Sequence, residues 1–230
     1  MGLAPPEADQ TILDESDWPV RSSWVNPTIQ TRAERVAELA HRDLPGAAAL
    51  EIARFVYPSV DDRWHDLWFS TMADRVEEKN HLGLRRVLAI SEGIGGNVDD
   101  YYHPDNSFIN RVIETRRGIP ISLAIIWMEV GRRCGVPVEG VALPGHFLVY
   151  AGGQLVDPFY YGEAIGLDEA ASLVAASLGG EPRLDKSWLN PVPTAEVIRR
   201  MLRNLEQIYL DTGDPSGVEW VAALLETVGR

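Results

Sequence analysis

The residues of this sequence best suited to chemistry are His146 and Asp157, which lie on either side of the pair Gly152-Gly153. The surrounding stretch, residues 138–159, is rich in β-branched and aromatic side chains, and a Gly-Gly pair is typical of a two-residue hairpin turn. In such a hairpin His146 and Asp157 lie diagonally on one face of the sheet, about 7–8 Å apart at the backbone. A carboxylate placed there can fix the tautomer of the imidazole and orient it for acid–base or nucleophilic catalysis.

A buried helix is predicted immediately before this hairpin. Pro120 suits the first turn of a helix, where its missing backbone N–H costs nothing, and Gly135 is suited to end the helix. Between them the sequence is apolar on nearly every side until Glu129, Arg132 and Arg133. We therefore expect a central helix over residues 119–133, whose N-terminus favours anions.

The run from Gly118 to Phe159, GIPISLAIIWMEVGRRCGVPVEGVALPGHFLVYAGGQLVDPF, resembles the core of the transglutaminase-like superfamily. In that family a helix carries a glycine, a cysteine, an alanine, an arginine and a second glycine, and a histidine and an aspartate follow on successive strands. His146 and Asp157 match the histidine and the aspartate. The helix positions other than the cysteine are matched by Gly118, Ala124, Arg132 and Gly135.

The runs GIPISL and PGHFLV resemble, more narrowly, the SirB1-like branch of that superfamily, in which a proline at the cysteine position is habitual. The resemblance implies an α+β papain-like fold. Such a fold has an N-terminal helical subdomain, a central buried helix on a small antiparallel sheet, and a C-terminal helical hairpin.

The cysteine position of the family is occupied by Pro120 in this sequence. Ser122 lies about 200° around the helix from residue 120, so its hydroxyl should point elsewhere and serve the helix start. Cys134, the one cysteine of the chain, lies about 21 Å further along the helix axis and is expected to be a small buried hydrophobe. We therefore do not expect ordinary transglutaminase or thiol-protease chemistry.

The pair His146 and Asp157 then has two interpretations. It is either a hydrogen-bonded remnant of the family's site that only stabilises the sheet, or it is part of a pocket for a small polar ligand or a peptide end. Five further residues near the motif are candidates for lining that pocket: Tyr101, Asn106, Asn110, Arg117 and Ser122. Turn capping explains Asn106 almost as well.

Helices are predicted on both sides of this core. Apolar residues recur every three to four positions in the segments 31–40, 45–56, 62–78 and 82–91, and the stripe that contains Trp64, Leu67 and Trp68 is expected to face the core. The predicted division is a disordered acidic arm over 1–26, a helical subdomain over 27–96, the transglutaminase-like core over 97–178, and a helical hairpin over 179–230. Residues 199–209 resemble the start of a tetratricopeptide-like tail.

Composition narrows the classes of function. The chain has 230 residues, a formal charge of −13 and 45% hydrophobic residues, so it can fill one main core and is a poor partner for a polyanion such as DNA. A single cysteine excludes an internal disulfide. The other histidines show no metal-ligand spacing and are predicted to be surface or structural residues: His41, His65, His81 and His103. With no leader and no long apolar run, we expect a cytoplasmic protein without metal, cofactor, nucleic-acid or membrane partner.

These observations favour a noncatalytic protein, a pseudoenzyme that acts as a binding or adaptor module for a protein partner or for a small polar or peptide ligand. The alternative is an enzyme that uses His146 and Asp157 as an acid–base pair on an amide, ester or thioester-like substrate.

Overall fold

The computed structural model describes residues 27–181 and 183–229, so the arm predicted over residues 1–26 lies outside the described residues. The first helices are α1 (Pro27–His41), α2 (Pro45–Ala53), α3 (Asp62–Asp74) and α4 (His81–Arg85), and α4 continues as a π-helical turn over Arg86–Ser91. The helix predicted to reach residue 78 ends at Asp74. A new helix begins after Asn80, whose side chain accepts hydrogen bonds from the backbone N–H groups of Leu82 and Gly83.

The connection to the central helix contains three short elements. These are β1 (Gly95–Gly96), α5 (Ile109–Thr115) and β2 (Arg117–Gly118), in addition to a 3₁₀ turn over Pro104–Ser107, and β1 pairs with β2 in parallel. The connection therefore folds back, so that residues 95–96 lie beside residues 117–118.

The centre of the fold is α6 (Pro120–Cys134), which packs against a five-stranded antiparallel sheet. The strands are β3 (Val138–Leu143), β4 (His146–Ala151), β5 (Gln154–Asp157), β6 (Glu163–Ala164) and β7 (Pro191–Val192), in the spatial order β6-β5-β4-β3-β7. The middle of α6 is fully buried, with Trp127 at 0% exposure. The helix is apolar around its circumference because other elements of the protein pack against it on all sides.

The two faces of the sheet are covered by different parts of the chain. Phe147 and Val149 belong to the main core, which includes α6, whereas Leu148 packs in a smaller cluster with Val174 of α7 (Leu167–Leu178). The alternation along β4 follows from the two-residue period of a strand, so both faces of β4 are buried.

The C-terminal hairpin consists of α8 (Thr194–Thr212) and α9 (Pro215–Val228), which pack against each other and against α1. The sequence-based prediction of an α+β papain-like fold is confirmed by this arrangement of a central helix, an antiparallel sheet and flanking helices. No helix in the described part of the chain combines the length and the apolar character needed to cross a membrane.

The prediction that the whole apolar stripe of α3 faces the core was wrong for two of its residues. Trp68 is buried, but Trp64 is 46% exposed and Leu67 is 66% exposed. A periodic stripe shows that a helix has an apolar face, but the width of the face that is covered depends on the neighbouring elements. Trp64 and Leu67 therefore form part of the surface.

Candidate functional site

Two glycine turns position His146 and Asp157. Gly145, at a φ of +73°, closes the turn between β3 and β4, and His146 follows as the first residue of β4. Gly152 and Gly153 have φ values of +59° and +84°, a region in which glycine is favoured, and they close the hairpin between β4 and β5. The predicted hairpin is confirmed, because Ala151 pairs with Gln154 on the two sides of this turn.

His146 and Asp157 are joined by a hydrogen bond. The distance from His146 Nε2 to Asp157 Oδ2 is 2.7 Å, and the other oxygen of the carboxylate, Oδ1, accepts a hydrogen bond of 2.9 Å from the backbone N–H of Phe159. Asp157 is 1% exposed, so solvent contributes little to this arrangement. Because an ionised carboxylate can only accept, Nε2 carries the hydrogen and Nδ1 is the basic nitrogen of the neutral ring.

An aromatic groove of about 480 Å³ opens beside this pair. The ring of His146 lies 6.1 Å from that of Phe159 in an edge contact and 6.5 Å from that of Tyr160 in a stacked one. Tyr101 contacts Phe159 at 5.8 Å between ring centroids and Tyr102 at 5.2 Å. The side chain of His146 retains 12% exposure, so the imidazole is part of the groove wall.

The rim of the groove is apolar and exposed. Tyr102 is 77% exposed, Val98 is 69% exposed and Tyr160 is 52% exposed, and all three line the groove. The groove is also lined by Leu173 and Ser177 of α7. Exposed aromatic side chains that surround a concave surface are typical of binding sites for other molecules.

Phe159 is held in the groove by a close contact with the β1 strand. Its carbonyl oxygen accepts a hydrogen bond of 2.9 Å from the backbone N–H of Gly96. A Cβ atom on Gly96 would lie only 2.6 Å from the ring of Phe159, so the close approach requires glycine at this position. The segment Gly95-Gly96 thus holds Phe159 in its position in the groove.

Of the five candidate ligand-binding residues, Tyr101 lines this groove. Burial, with a smaller contribution from Tyr102, raises the pKa of the Tyr101 hydroxyl, although Arg200 acts in the opposite direction. Tyr101 is therefore a neutral hydrogen-bonding and stacking residue at physiological pH. Its position agrees with the prediction, and its role in binding stays a prediction.

Asn106 and Ser122 lie inside the protein and tie the loop before α5 to the start of α6. Asn106 is 3% exposed, and its Nδ2 donates to the carbonyl oxygens of Asp100 (2.6 Å) and Tyr101 (3.0 Å). Ser122 is fully buried, and its Oγ donates to the carbonyl oxygen of Asn106 at 2.6 Å. These hydrogen bonds support the alternative that both residues stabilise turns and helix starts.

Arg117 and Asn110 are also placed away from the groove. The guanidinium of Arg117 donates to the carbonyl oxygen of Gly93 at 2.8 Å and lies 6.0 Å from the ring centroid of Tyr161. Asn110 lines a different cleft, beside His65. Neither residue lines the groove, although both are close to the motif in sequence.

Phe159, Tyr160 and Tyr102 line the groove but were not among the predicted residues. Phe159 and Tyr160 follow directly after Asp157 and Pro158, and Tyr102 follows Tyr101. Clusters of adjacent aromatic residues beside a predicted site residue were the available signal. Such clusters are more often part of a core, and only their exposure in the fold distinguishes the two cases.

The helix start beside the sheet carries no nucleophile of the expected kind. Pro120 is buried in the first turn of α6, and the chain's one cysteine, Cys134, is the last residue of the same helix. At about 1.5 Å per residue the two ends of the helix are about 21 Å apart. Among the described residues, no three His, Cys, Asp or Glu side chains come together as a metal site would require.

The fold and the histidine–aspartate hairpin define a papain-like domain, and comparison with known proteins agrees with this class. The sequence model of the transglutaminase-like superfamily matches residues 28–203. The chain belongs to the transglutaminase-like superfamily. No solved structure matches the chain.

Several curated proteins are similar to this chain. A UPF0162 protein of Xylella fastidiosa is 40% identical over 182 residues, covering 72% of this chain and 65% of that protein. A UPF0162 protein of Pseudomonas aeruginosa is 29% identical, covering 72% of this chain and 57% of that protein. F-box only protein 21 of Mus musculus is 31% identical over 205 residues, covering 86% of this chain and 31% of that protein. The chain thus spans less than two thirds of the length of each of these relatives.

Proposed function

We propose that the protein is a noncatalytic member of its superfamily, in the SirB1-like branch, and that the groove beside His146 binds a peptide segment of a partner protein. The observation that carries the proposal is the buried Pro120 in the first turn of α6. By the resemblance to the family's sequence pattern, this position corresponds to the family's cysteine. Proline offers neither a thiol nor a backbone N–H. A covalent acyl intermediate of the transglutaminase kind would have no attacking atom there.

The chemistry of the groove favours a peptide as its ligand. Tyr102, Val98 and Tyr160 present exposed apolar surface, while His146 and the hydroxyl of Tyr101 supply a few polar groups between them. A site with an apolar lining and a small number of fixed hydrogen-bonding groups is suited to an apolar side chain together with the adjoining backbone. Tyrosine rings provide much contact area at a small cost in side-chain entropy.

The same proposal includes the organisation of the chain. The proposed core spans residues 97–178 and the proposed helical subdomain spans residues 27–96. The proposed C-terminal unit, residues 179–230, contributes β7 to the sheet of the core before its hairpin of α8 and α9, which resembles the start of a tetratricopeptide-like tail. We place the protein in the cytoplasm, with a protein or a small polar or peptide ligand as its partner. Its formal charge of −13 supports a partner other than nucleic acid.

An enzymatic function is the second candidate, and one observation favours it. Nδ1 of His146 makes no hydrogen bond with any described residue, while Nε2 is fixed by the buried Asp157. A histidine that is oriented by a carboxylate and lines an open groove can act as a general base on an amide, ester or thioester-like substrate.

The binding candidate is tested with a variant of the groove and a matched control. A phage-displayed library of random peptides would be selected on the wild-type protein, and the enriched peptides would then be measured by calorimetry. We expect Tyr160→Ala to weaken their binding by about tenfold or more, since tyrosine side chains that a partner covers often dominate affinity. Leu210→Ala is the matched control, because Leu210 is 56% exposed on α8 and does not line the groove.

The catalytic candidate would be tested with p-nitrophenyl esters, p-nitroanilides and thioesters on the same preparations. Turnover by the wild-type protein that is lost in His146→Ala would establish the enzyme and contradict the noncatalytic proposal. Peptides that bind wild type and Tyr160→Ala equally well would contradict the groove as the binding site.

A further inference from the structure

The groove beside His146 presents two acceptor atoms that a ligand can reach. His146 Nδ1 and the hydroxyl oxygen of Tyr101 make no hydrogen bond with any described residue. Neither atom is among the polar atoms that are both unpartnered and buried in the described part of the chain, so both are accessible to solvent. Both residues line the groove. Because Nε2 donates to Asp157, Nδ1 carries the lone pair of the neutral ring and accepts a hydrogen bond.

Asp157 places a negative charge directly behind the wall that His146 forms. Its carboxylate is 1% exposed, and its partners are the imidazole of His146 and the backbone N–H of Phe159. No arginine or lysine in the described part of the chain forms an ion pair with Asp157. With a neutral imidazole, the pair therefore carries one negative charge that no described cation compensates. Buried charges are usually paired with an opposite charge, so this wall favours a cationic ligand.

The remainder of the groove does not oppose a cation. None of the described residues that line it is a lysine, an arginine, an aspartate or a glutamate. Arg200 is near enough for its charge to act on Tyr101, but it does not line the groove, and its guanidinium lies 3.5 Å from the carbonyl oxygen of Leu143. The formal charge of −13 adds a long-range attraction for cations.

The aromatic side chains of the groove select among cations. The ring of Tyr160 is half exposed and lies at 27° to the imidazole of His146, with the two centroids 6.5 Å apart. The guanidinium of arginine is planar, stacks on aromatic rings and is more weakly hydrated than an ammonium. It also carries five N–H donors and no acceptor, whereas a quaternary ammonium has no donor. Arginine therefore matches both the tyrosine rings and the two accessible acceptors.

We infer that the groove recognises an arginine side chain of the bound peptide. The guanidinium donates to His146 Nδ1 and to the hydroxyl oxygen of Tyr101, and its plane stacks on the ring of Tyr160. The apolar rim, which includes Val98 and Tyr102, takes a neighbouring apolar side chain of the same peptide. A carboxylate would instead meet lone pairs and negative charge. The inference rests on the proposed function and adds to it the chemistry of the ligand.

The first test uses the full chain and Nα-acetyl-arginine N-methylamide as the probe. Binding is followed by ¹⁵N NMR of the imidazole of His146, assigned with His146→Ala. The citrulline counterpart of the probe has the same shape and keeps N–H donors, but its side chain is neutral. We expect the arginine probe to bind at least about tenfold more tightly than the citrulline and lysine counterparts. Equal binding of the arginine and citrulline probes, or tighter binding of the aspartate counterpart, would overturn the inference.

Asp157→Asn removes the charge behind the wall and keeps an acceptor for the backbone N–H of Phe159. The amide NH₂ then faces Nε2 of His146, so the hydrogen of the neutral imidazole moves to Nδ1, which becomes a donor. We expect the arginine probe to bind this variant about ten- to a hundredfold more weakly. Unchanged affinity would overturn the inference. Leu210→Ala, on the exposed surface of α8, is the control and should bind the probe as wild type does.

A second variant keeps the test decisive if Asp157→Asn fails to fold. Tyr160→Leu alters a residue that is 52% exposed, so the core is not disturbed. It removes the aromatic ring and retains an apolar side chain. We expect it to weaken binding of the arginine probe by about three- to thirtyfold, the range of a stacking contact with a cation. Equal affinity of wild type and Tyr160→Leu would overturn the inference.

A last experiment separates this inference from the proposed function. The peptides enriched by phage display are synthesised again with each arginine replaced by citrulline. We expect the enriched peptides to contain arginine and the replacement to weaken their binding by about tenfold or more. Peptides that lose affinity in Tyr160→Ala, yet lack arginine or tolerate citrulline, would overturn the inference and leave the proposed function standing. Peptides that bind Tyr160→Ala as tightly as wild type would contradict the proposed function and, with it, the inference.

Discussion

Asp157→Ala is expected to lower the free energy of unfolding by about 3–5 kcal/mol. The substitution removes the hydrogen bond of 2.7 Å to His146, and a bond to a charged group contributes about 1.5–3 kcal/mol. It also leaves the buried backbone N–H of Phe159 without its acceptor, which costs about 1–3 kcal/mol. Solvent can replace neither partner readily, because Asp157 is 1% exposed. The corresponding fall in Tm is on the order of 10 °C for a chain of this size.

Asp157→Asn separates the two contributions. The amide oxygen can still accept from the backbone N–H of Phe159, while the amide NH₂ faces Nε2 of His146. We therefore expect a loss of about 1–2 kcal/mol, since one charge-assisted hydrogen bond becomes a neutral one. Because the NH₂ group donates, the hydrogen of the neutral imidazole should move from Nε2 to Nδ1.

Urea denaturation of wild type, Asp157→Ala and Asp157→Asn measures the free energies of unfolding, and ¹⁵N NMR of the imidazole reports the tautomer of His146. Asp99→Ala is the control, because Asp99 is an exposed aspartate in a loop. Equal losses in the alanine and asparagine variants would show that the Phe159 hydrogen bond contributes nothing. An unchanged tautomer in Asp157→Asn would refute the view that Asp157 sets the protonation of the ring.

Two further predictions concern the surroundings of the sites. Gly96→Ala places a Cβ 2.6 Å from the ring of Phe159. It should therefore lower the free energy of unfolding, measured by urea denaturation, by about 1–3 kcal/mol and weaken the binding of peptides to the groove. Gly166→Ala is the control and should change neither quantity, because its Cβ meets only the flexible end of a glutamate. Burial would raise the pKa of Asp105, but hydrogen bonds from Tyr57 and Arg111 outweigh it and lower that pKa in the folded protein, so the ionised form stabilises the fold above the ordinary pKa and this contribution is lost as the pH falls through the lowered value. Asp105→Asn should therefore be less stable than wild type at about pH 7, and the difference should shrink as the pH is lowered; a stability difference independent of pH would contradict this assignment.

Much of the hairpin that carries His146 and Asp157 could be predicted from the sequence. Gly152 and Gly153 both adopt positive φ values, which a two-residue hairpin turn requires and which other residues disfavour. Once that turn is set, the two-residue period of the strands fixes which side chains share a face. The approach of His146 to Asp157 follows from these local rules, and the hydrogen bond of 2.7 Å agrees with it.

The lining of the groove could not be predicted in the same way. Asn106, Asn110 and Arg117 are close to the motif in sequence, yet none of them lines the groove. Asn106 stabilises a loop, Asn110 lines another cleft, and Arg117 donates a hydrogen bond to a backbone carbonyl. Periodicity likewise assigned Trp64 to the core, although it is 46% exposed. Both errors have the same cause, since a pattern along the chain does not specify which distant element packs over a given side chain.

The sequence by itself determined the helix start at Pro120, the glycine turns and the pairing of His146 with Asp157. Each depends on steric limits and hydrogen bonds that act within a few residues. Only the tertiary structure decided that aromatic side chains surround His146 and that His65 and Asn110 line a second cleft. Those contacts join residues far apart in the chain, and they form because burial of the shared core fixes how α3, α5 and α6 pack together.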